Sequence, residues 1–332
     1  MKTKSFFIVG NLLLYALYIF LPGCIAPRSV TDSGKVTPKH QIKVGGSYSA
    51  NVPTQTIKNV AEVVGASENV VELIGSSVNS NKNTEELINT VNNSQVYTDE
   101  CNILTKCLLV YSIDPLTTGI NYYARYGLLN RVDVGYQYAA GTHAFDAKYQ
   151  FLGSTGEIGS NGGKKIYGSI GLQYSSHDYA LPLGLDKIQG LLGLDLKRKD
   201  FFIPLVFSTS FGPEEKIGHF SWGLAYNYTL LEYGFNPSNA IKNQINLPFS
   251  PMYYKKNFSS FGTFINVKVG YKYVYFLTSL SAYYQNYGNF TMLDGSQAHF
   301  SGFTFVPSMG LQVVIPPWDK IKKHKREQVT KS

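Results

Sequence analysis

Residues 122–151 read YYARYGLLNRVDVGYQYAAGTHAFDAKYQF. Three runs of alternation are joined by two short turns. In the first, Asn121, Tyr123 and Arg125 alternate with Ile120, Tyr122, Ala124 and Tyr126. In the second, Arg131, Asp133, Gly135 and Gln137 alternate with Val132, Val134, Tyr136 and Tyr138. In the third, Asp146, Lys148 and Gln150 alternate with Phe145, Ala147, Tyr149 and Phe151. A period of two puts each set on one face of a strand. One face is therefore aromatic and aliphatic, and the other is small, polar or charged.

The same pattern recurs along the chain. Ile42, Val44, Tyr48, Ala50 and Val52 oppose Lys43, Gly45, Ser47, Ser49 and Asn51. Further runs start at Ile166, Phe201, Phe220, Phe261, Tyr273 and Phe303. Composition agrees: among 332 residues are 25 Tyr, 20 Phe and 31 Gly, with only 16% charged, which suits strands and turns better than helices. The count is about ten strands of roughly 9–14 residues, long enough to cross a bilayer at a tilt. Charges of both signs on one face are costly in a dry core and natural in a polar lumen. The expected fold is an all-β, antiparallel transmembrane β-barrel of about ten strands, with eight to twelve compatible with the pattern. Arg125, Arg131, Asp133, Asp146, Lys148 and Lys268 form its expected lumen-facing charge ladder. Val132, Val134, Tyr136, Phe145, Tyr149, Trp222, Leu224 and Val267 are expected to face lipid, and Asn227 the lumen. A charge added at Gly135 is expected to be tolerated if space allows. Pro204 and Pro307 count against two of the strands unless they sit near strand ends or at bulges.

Residues 54–116 break the alternation. Ile57, Val60, Ala61 and Val64 recur near helical spacing, and a second helix is expected over Thr84–Val91, capped by Asn83. Ile103–Ile113 is apolar and reads as a possible additional strand. This insertion is expected at the mouth where the long connections gather, since outer-membrane barrels pair short periplasmic turns with long external loops.

The N-terminus carries Lys2 and Lys4 before an uncharged apolar run that ends at Leu21-Pro22-Gly23-Cys24, a secretory signal. Its end resembles a bacterial lipobox, with Pro22 a departure, and that resemblance implies a lipidated Cys24. The expected organisation is a signal peptide over 1–23, a polar linker over 24–40, a barrel over 41–316 and a basic periplasmic tail over 317–332. Net charge is +8, and the stretch from Asp319 onward holds six Lys/Arg against two acids. A basic tail suits an anionic partner or a solvated end. Export permits a Cys101–Cys107 disulfide; a two-thiol metal site is weak. Gly163-Lys164-Lys165 fails the phosphate-loop spacing.

The lipobox, polar linker and Gly/Tyr-rich meander together resemble lipid-anchored outer-membrane β-barrel proteins of Gram-negative bacteria. The Pro316-Pro317-Trp318 break after Ile315 departs from the terminal aromatic strand of that class. The resemblance implies an outer-membrane location with the Cys24 lipid on the periplasmic side and the long loops external. Expected partners are outer-membrane lipids, lipopolysaccharide or cell-wall polymer, the barrel-assembly machinery and small solutes, with no nucleic acid and no cofactor. The expected role is a narrow pore or a surface-exposed binding or structural module. The alternatives are a small-barrel hydrolase using His177, Asp178, Asp186, His219 or His299, and a soluble periplasmic lipoprotein. Clustering of these His and Asp residues at one rim would favour the enzyme.

Overall fold

The computed structural model describes residues 27–65, 99–139, 141–156, 166–178, 193–236, 252–271, 273–292 and 296–317. Ten strands follow in order: β1 (Ile42–Pro53), β2 (Thr117–Leu129), β3 (Val132–Ala139), β4 (Thr142–Leu152), β5 (Ile166–Asp178), β6 (Leu194–Phe211), β7 (Gly218–Phe235), β8 (Met252–Tyr271), β9 (Val274–Thr291) and β10 (Gln297–Ile315). Each pairs antiparallel with its sequence neighbours, and β1 pairs with β10, closing the barrel. Closure leaves no sheet edge exposed.

The faces sort as the alternation demands. Leu224 is 63% exposed on the outside, whereas Asp133 and Asn227 are buried inside. Val134, Tyr136, Phe145, Tyr149 and Trp222 also point outward. Outward aromatics meet across neighbouring strands at Tyr136–Phe145, Tyr174–Phe201, Tyr226–Phe261 and Tyr284–Phe303, with ring centroids 5.0–5.3 Å apart. An apolar outer belt with an aromatic girdle around a polar interior is the reverse of a soluble barrel.

Both prolines lie well inside strands. The β5–β6 ladder lapses between Ile170↔Leu205 and Gln173↔Phe202, beside Pro204, while Pro204 keeps its register with Ala225 on β7. The β1–β10 ladder likewise lapses between Ser49↔Ser308 and Val52↔Phe305, beside Pro307. A missing amide donor is tolerated where one of two ladders is already interrupted.

Above the girdle β6–β10 continue beyond the expected strand ends, and their polarity inverts. Lys197, Lys199, Glu232 and Lys255 now point outward, while Leu196, Leu231, Tyr233, Phe258 and Phe290 point inward. Outside the membrane the surrounding solvent is water, so the apolar face must turn in.

Two helices follow β1: α1 (Thr54–Gly65) and α2 (Asp99–Ile113). The apolar run Ile103–Ile113 is thus helical, not an additional strand. Leu108, Leu109, Val110, Tyr111 and Ile113 bury against the inward face of the extended β6–β10 wall. A helix enclosed by a barrel mouth is apolar on most sides, so its sequence lacks the polar stripe that marks a surface helix. In α1, Thr56 and Asn59 are buried and Ile57 is exposed. The segments expected to form a helix over Thr84–Val91 and the basic tail from Trp318 lie outside the described residues, as do residues 163–165, Asp186 and Cys24.

Cys107 is a free thiol. The expected Cys101–Cys107 disulfide is corrected: both cysteines lie on α2, six residues apart. A helix rise of 1.5 Å per residue separates them by about 9 Å, beyond the ~7 Å that a disulfide spans.

Candidate functional site

The lumen contains a segment of the chain itself. Residues 27–40, part of the stretch expected as a polar linker over 24–40, run through it without regular structure and are mostly buried. Each level of this strap is held by groups on the inner wall. At the short-turn end the His40 amide donates to Gly127 O at 2.8 Å, and the Thr37 amide donates to Asp133 Oδ2 at 2.6 Å. The Val36 amide donates to Gln150 Oε1 at 3.0 Å, and Lys35 Nζ pairs with Glu214 in the β6–β7 turn. At mid-height the Gly34 amide donates to Ser208 Oγ at 3.0 Å, and Asn266 Nδ2 donates to the Asp32 and Val30 carbonyls at 3.0 and 3.1 Å. Higher still, Tyr283 OH donates to Arg28 O at 2.5 Å, and Gln173 Nε2 donates to Pro27 O at 2.9 Å. Val30 packs among Phe202, Val206, Ala225, Phe264, Tyr283 and Val306.

The charge ladder is one part of this system. Arg125 binds three carboxylates: Asp32 of the strap through Nε at 2.8 Å, Asp133 through Nη1 at 2.6 Å, and Asp146 through Nη2. Lys148 Nζ lies 3.2 Å from Asp32 Oδ2 and from the Ser33 carbonyl, and 3.9 Å from Asp133. Lys268 joins a separate cluster, 3.0 Å from Glu215, with His219 Nδ1 3.3 Å from the same carboxylate. Arg131 does not belong to the ladder: it is exposed at the β2–β3 turn and donates to Gln150 O at 3.1 Å. It sits one residue before β3 begins, so strand alternation does not constrain its direction. Gly135 has no room to spare. A Cβ there would lie 2.4 Å from Asp146 Oδ2 and 3.0 Å from Arg125 Nη2, so the space belongs to the ladder.

The strap's charges are matched at three heights. Lys35 meets Glu214, Asp32 meets Arg125 and Lys148, and Arg28 meets Asp114. Asp114, just after α2, is the upper hub. Its Oδ1 accepts from Arg28 Nη2 at 2.6 Å and Asn51 Nδ2 at 2.7 Å. Its Oδ2 accepts from Thr304 Oγ1 at 2.6 Å, Tyr287 OH at 2.7 Å and Gln285. Burial alone would raise this carboxyl, but Arg28 and the hydrogen bonds from Thr304, Asn51 and Tyr287 hold it below its ordinary range. Beside it Arg198, paired with Asp200 at 2.7 and 2.8 Å, donates to the Ile113 carbonyl at 2.5 Å. A cation from the barrel wall thereby caps the C-terminal end of α2, where unsatisfied carbonyls and the helix dipole favour it.

Among the described residues a cavity of about 70 Å³ lies beside Ser29–Asp32, lined by Arg125, Asp146, Lys148 and Gln173. The histidines named for a hydrolase are dispersed. His177 is on β5 toward the long-loop end, His219 is near the short-turn end, and His299 is exposed on β10 beside Asn289. Among the described residues no group of three or more His, Cys, Asp or Glu is placed to hold a metal.

Asp32, Arg28 and Lys35 were not foreseen as site residues. Their only sequence signal is three spaced charges in a polar stretch, which equally fits a solvated linker.

No protein-family model and no curated sequence matches the chain. Among solved structures it is similar to Ail, the attachment invasion locus protein of Yersinia pestis (7% identity, 83% of this chain and 99% of that chain covered, TM-score 0.29). It is also similar to the outer membrane protein OprG from Pseudomonas aeruginosa (9%, 86% and 99%, TM-score 0.31) and the outer membrane protease OmpT from Escherichia coli (8%, 84% and 98%, TM-score 0.34). Independently of these likenesses, the chain's own closure, outward apolar belt and polar lumen make it a ten-stranded antiparallel β-barrel of outer-membrane type.

Proposed function

We propose that this protein is a lipid-anchored outer-membrane barrel with a sealed lumen, serving as a structural or surface-presenting module rather than as a solute pore. The observation that carries this reading is the strap. It fills the lumen with three sets of matched charges, and α2 corks the mouth above it. A passage for solutes needs water-filled cross-section, and narrow barrels fill with side chains even without a strap. Dispersal of His177, His219 and His299 argues against the hydrolase alternative. The partners that suit the outer surface are anionic lipid headgroups, because Lys197 and Lys199 stand just above the aromatic girdle, where Lys255 is paired with Glu232. The Gly23-Cys24 junction supports lipidation at Cys24.

Two measurements test this reading. In planar bilayers the purified protein should give no steady conductance steps; a stable open channel in the wild type would refute the sealed barrel. In cells, a clickable fatty acid should label the wild type and not Cys24→Ala; equal labelling of both would remove the lipid anchor from the proposal.

A further inference from the structure

The strap has a direction. From His40, beside the β2–β3 turn, it climbs past Glu214, Ser208 and Asn266 to Arg28 at Asp114, where β1 and β2 end in the long connection. Read from the N-terminal side, the chain therefore comes down into the lumen from the long-loop end and turns into β1 at the short-turn end. Pro27 O is held by Gln173, which shares its level with Asp146 and Phe202.

Among the described residues the barrel wall is low beside this point. β3 has eight residues, and its turn into β4 follows Ala139↔Thr142, four residues above Asp146. At ~3.3 Å per residue and a strand tilt of ~40°, that rim stands about 10 Å above Pro27. The short-turn end of β5, at Ile166, is seven residues below Gln173, about 18 Å by the same arithmetic. Cys24 is three residue steps from Pro27, and fully extended these span ~10–11 Å. That reach brings Cys24 level with the low rim and falls short of the opposite end, and the downward route is already filled by the strap. On the outside of this rim, Tyr136 and Tyr138 pack around His143, with centroids 6.1 and 5.1 Å from its ring, marking it as a membrane interface.

We propose that the N-terminal segment leaves the barrel over the β3–β4 rim, presenting Cys24 on the long-loop side of the membrane. Because long loops are external in outer-membrane barrels, the anchor lies in the outer leaflet, opposite to the periplasmic side expected from the sequence. The proposal rests on the lipidated-barrel reading above, but the threading can be tested apart from the lipid.

The test uses full-length protein in intact cells, with Cys101 and Cys107 changed to Ala, and each shift is scored against this parent, which reports any modification of Cys24 itself. Ala26→Cys is treated with a polyethylene-glycol maleimide too large to pass the outer membrane, and a gel shift reports modification. Ile217→Cys, exposed in the β6–β7 turn, is the opposite-end reference. Expected are a shift of Ala26→Cys in intact cells and a shift of Ile217→Cys only after the outer membrane is permeabilised. Modification of both only after permeabilisation, or of both in intact cells, would overturn the threading. Heat-modifiable migration checks folding, and Ile25→Cys provides a second position if Ala26→Cys does not assemble. Fatty-acid labelling of the same variants separates the two readings: surface modification without label removes the lipid and keeps the threading, whereas label with only internal modification removes the threading and keeps the lipid.

Discussion

Lys35 and Glu214 are each 1% exposed, so neither charge can turn to water if its partner is lost. Removing one member of such a pair typically costs ~3–5 kcal/mol, whereas replacing both with neutral groups of similar size is often close to neutral. Lys35→Met should therefore lower the temperature at which the heat-modifiable band is lost, and Lys35→Met/Glu214→Gln should recover much of that loss. Additive single effects would place the two groups apart. Asp114 gives the pH counterpart. Its folded-state pKa is depressed by Arg28 and hydrogen bonding despite burial, so its contribution is present above the unfolded value and is lost as pH falls through the folded one. Acid unfolding of the wild type should steepen below about pH 4. Asp114→Asn should be less stable at neutral pH and show a shallower slope in that acid window. An unchanged slope would mean that other carboxylates govern the acid limb.

The element with the most consequence is α2. Leu109 is fully buried in the cluster that joins the helix to the extended wall. Leu109→Ala removes buried methyl groups and leaves a cavity, at a cost of ~2–5 kcal/mol. It should raise proteolysis of the helical insertion in intact cells while the belt of strands stays folded. Loss of the whole barrel instead would show that cork and barrel are one cooperative unit. Cys107 reports on the same element. Burial, with Glu62 a lesser influence, pushes its thiol up to about 12, so thiolate is scarce at pH 8. Alkylation of Cys107 should be slow in the folded protein and fast once the chain is denatured.

At the scale of the whole molecule, the belt makes one demand: a charge on the outer face must lie in hydrocarbon. Leu224, 63% exposed and facing outward on β7, should tolerate Phe but not Arg. An Arg at the membrane midplane costs ~2–4 kcal/mol, so Leu224→Arg should reduce the heat-modifiable folded fraction. Assembly of Leu224→Arg at the wild-type level would contradict a lipid-facing belt. The inner face cannot serve as a permissive control at Gly135, where Arg125 and Asp146 already occupy the space.

Alternation alone determined the strands, their two faces, the count of about ten and the lumenal placement of Arg125, Asp133, Asp146, Lys148 and Lys268. Each of those follows from a local rule with period two. The pattern held because a bilayer outside and polar groups inside impose the same demand on every strand. It failed above the girdle, where water replaces lipid and β6–β10 reverse their faces without any break in the alternation. It also missed α2, since a helix buried on most sides is apolar throughout and resembles a buried strand. Only the tertiary structure decided that residues 27–40 fill the lumen. Arg28–Asp114 and Lys35–Glu214 join residues 86 and 179 apart in sequence. The strap has no periodicity of its own because its complement is the curved inner wall, and that surface does not exist until the barrel closes.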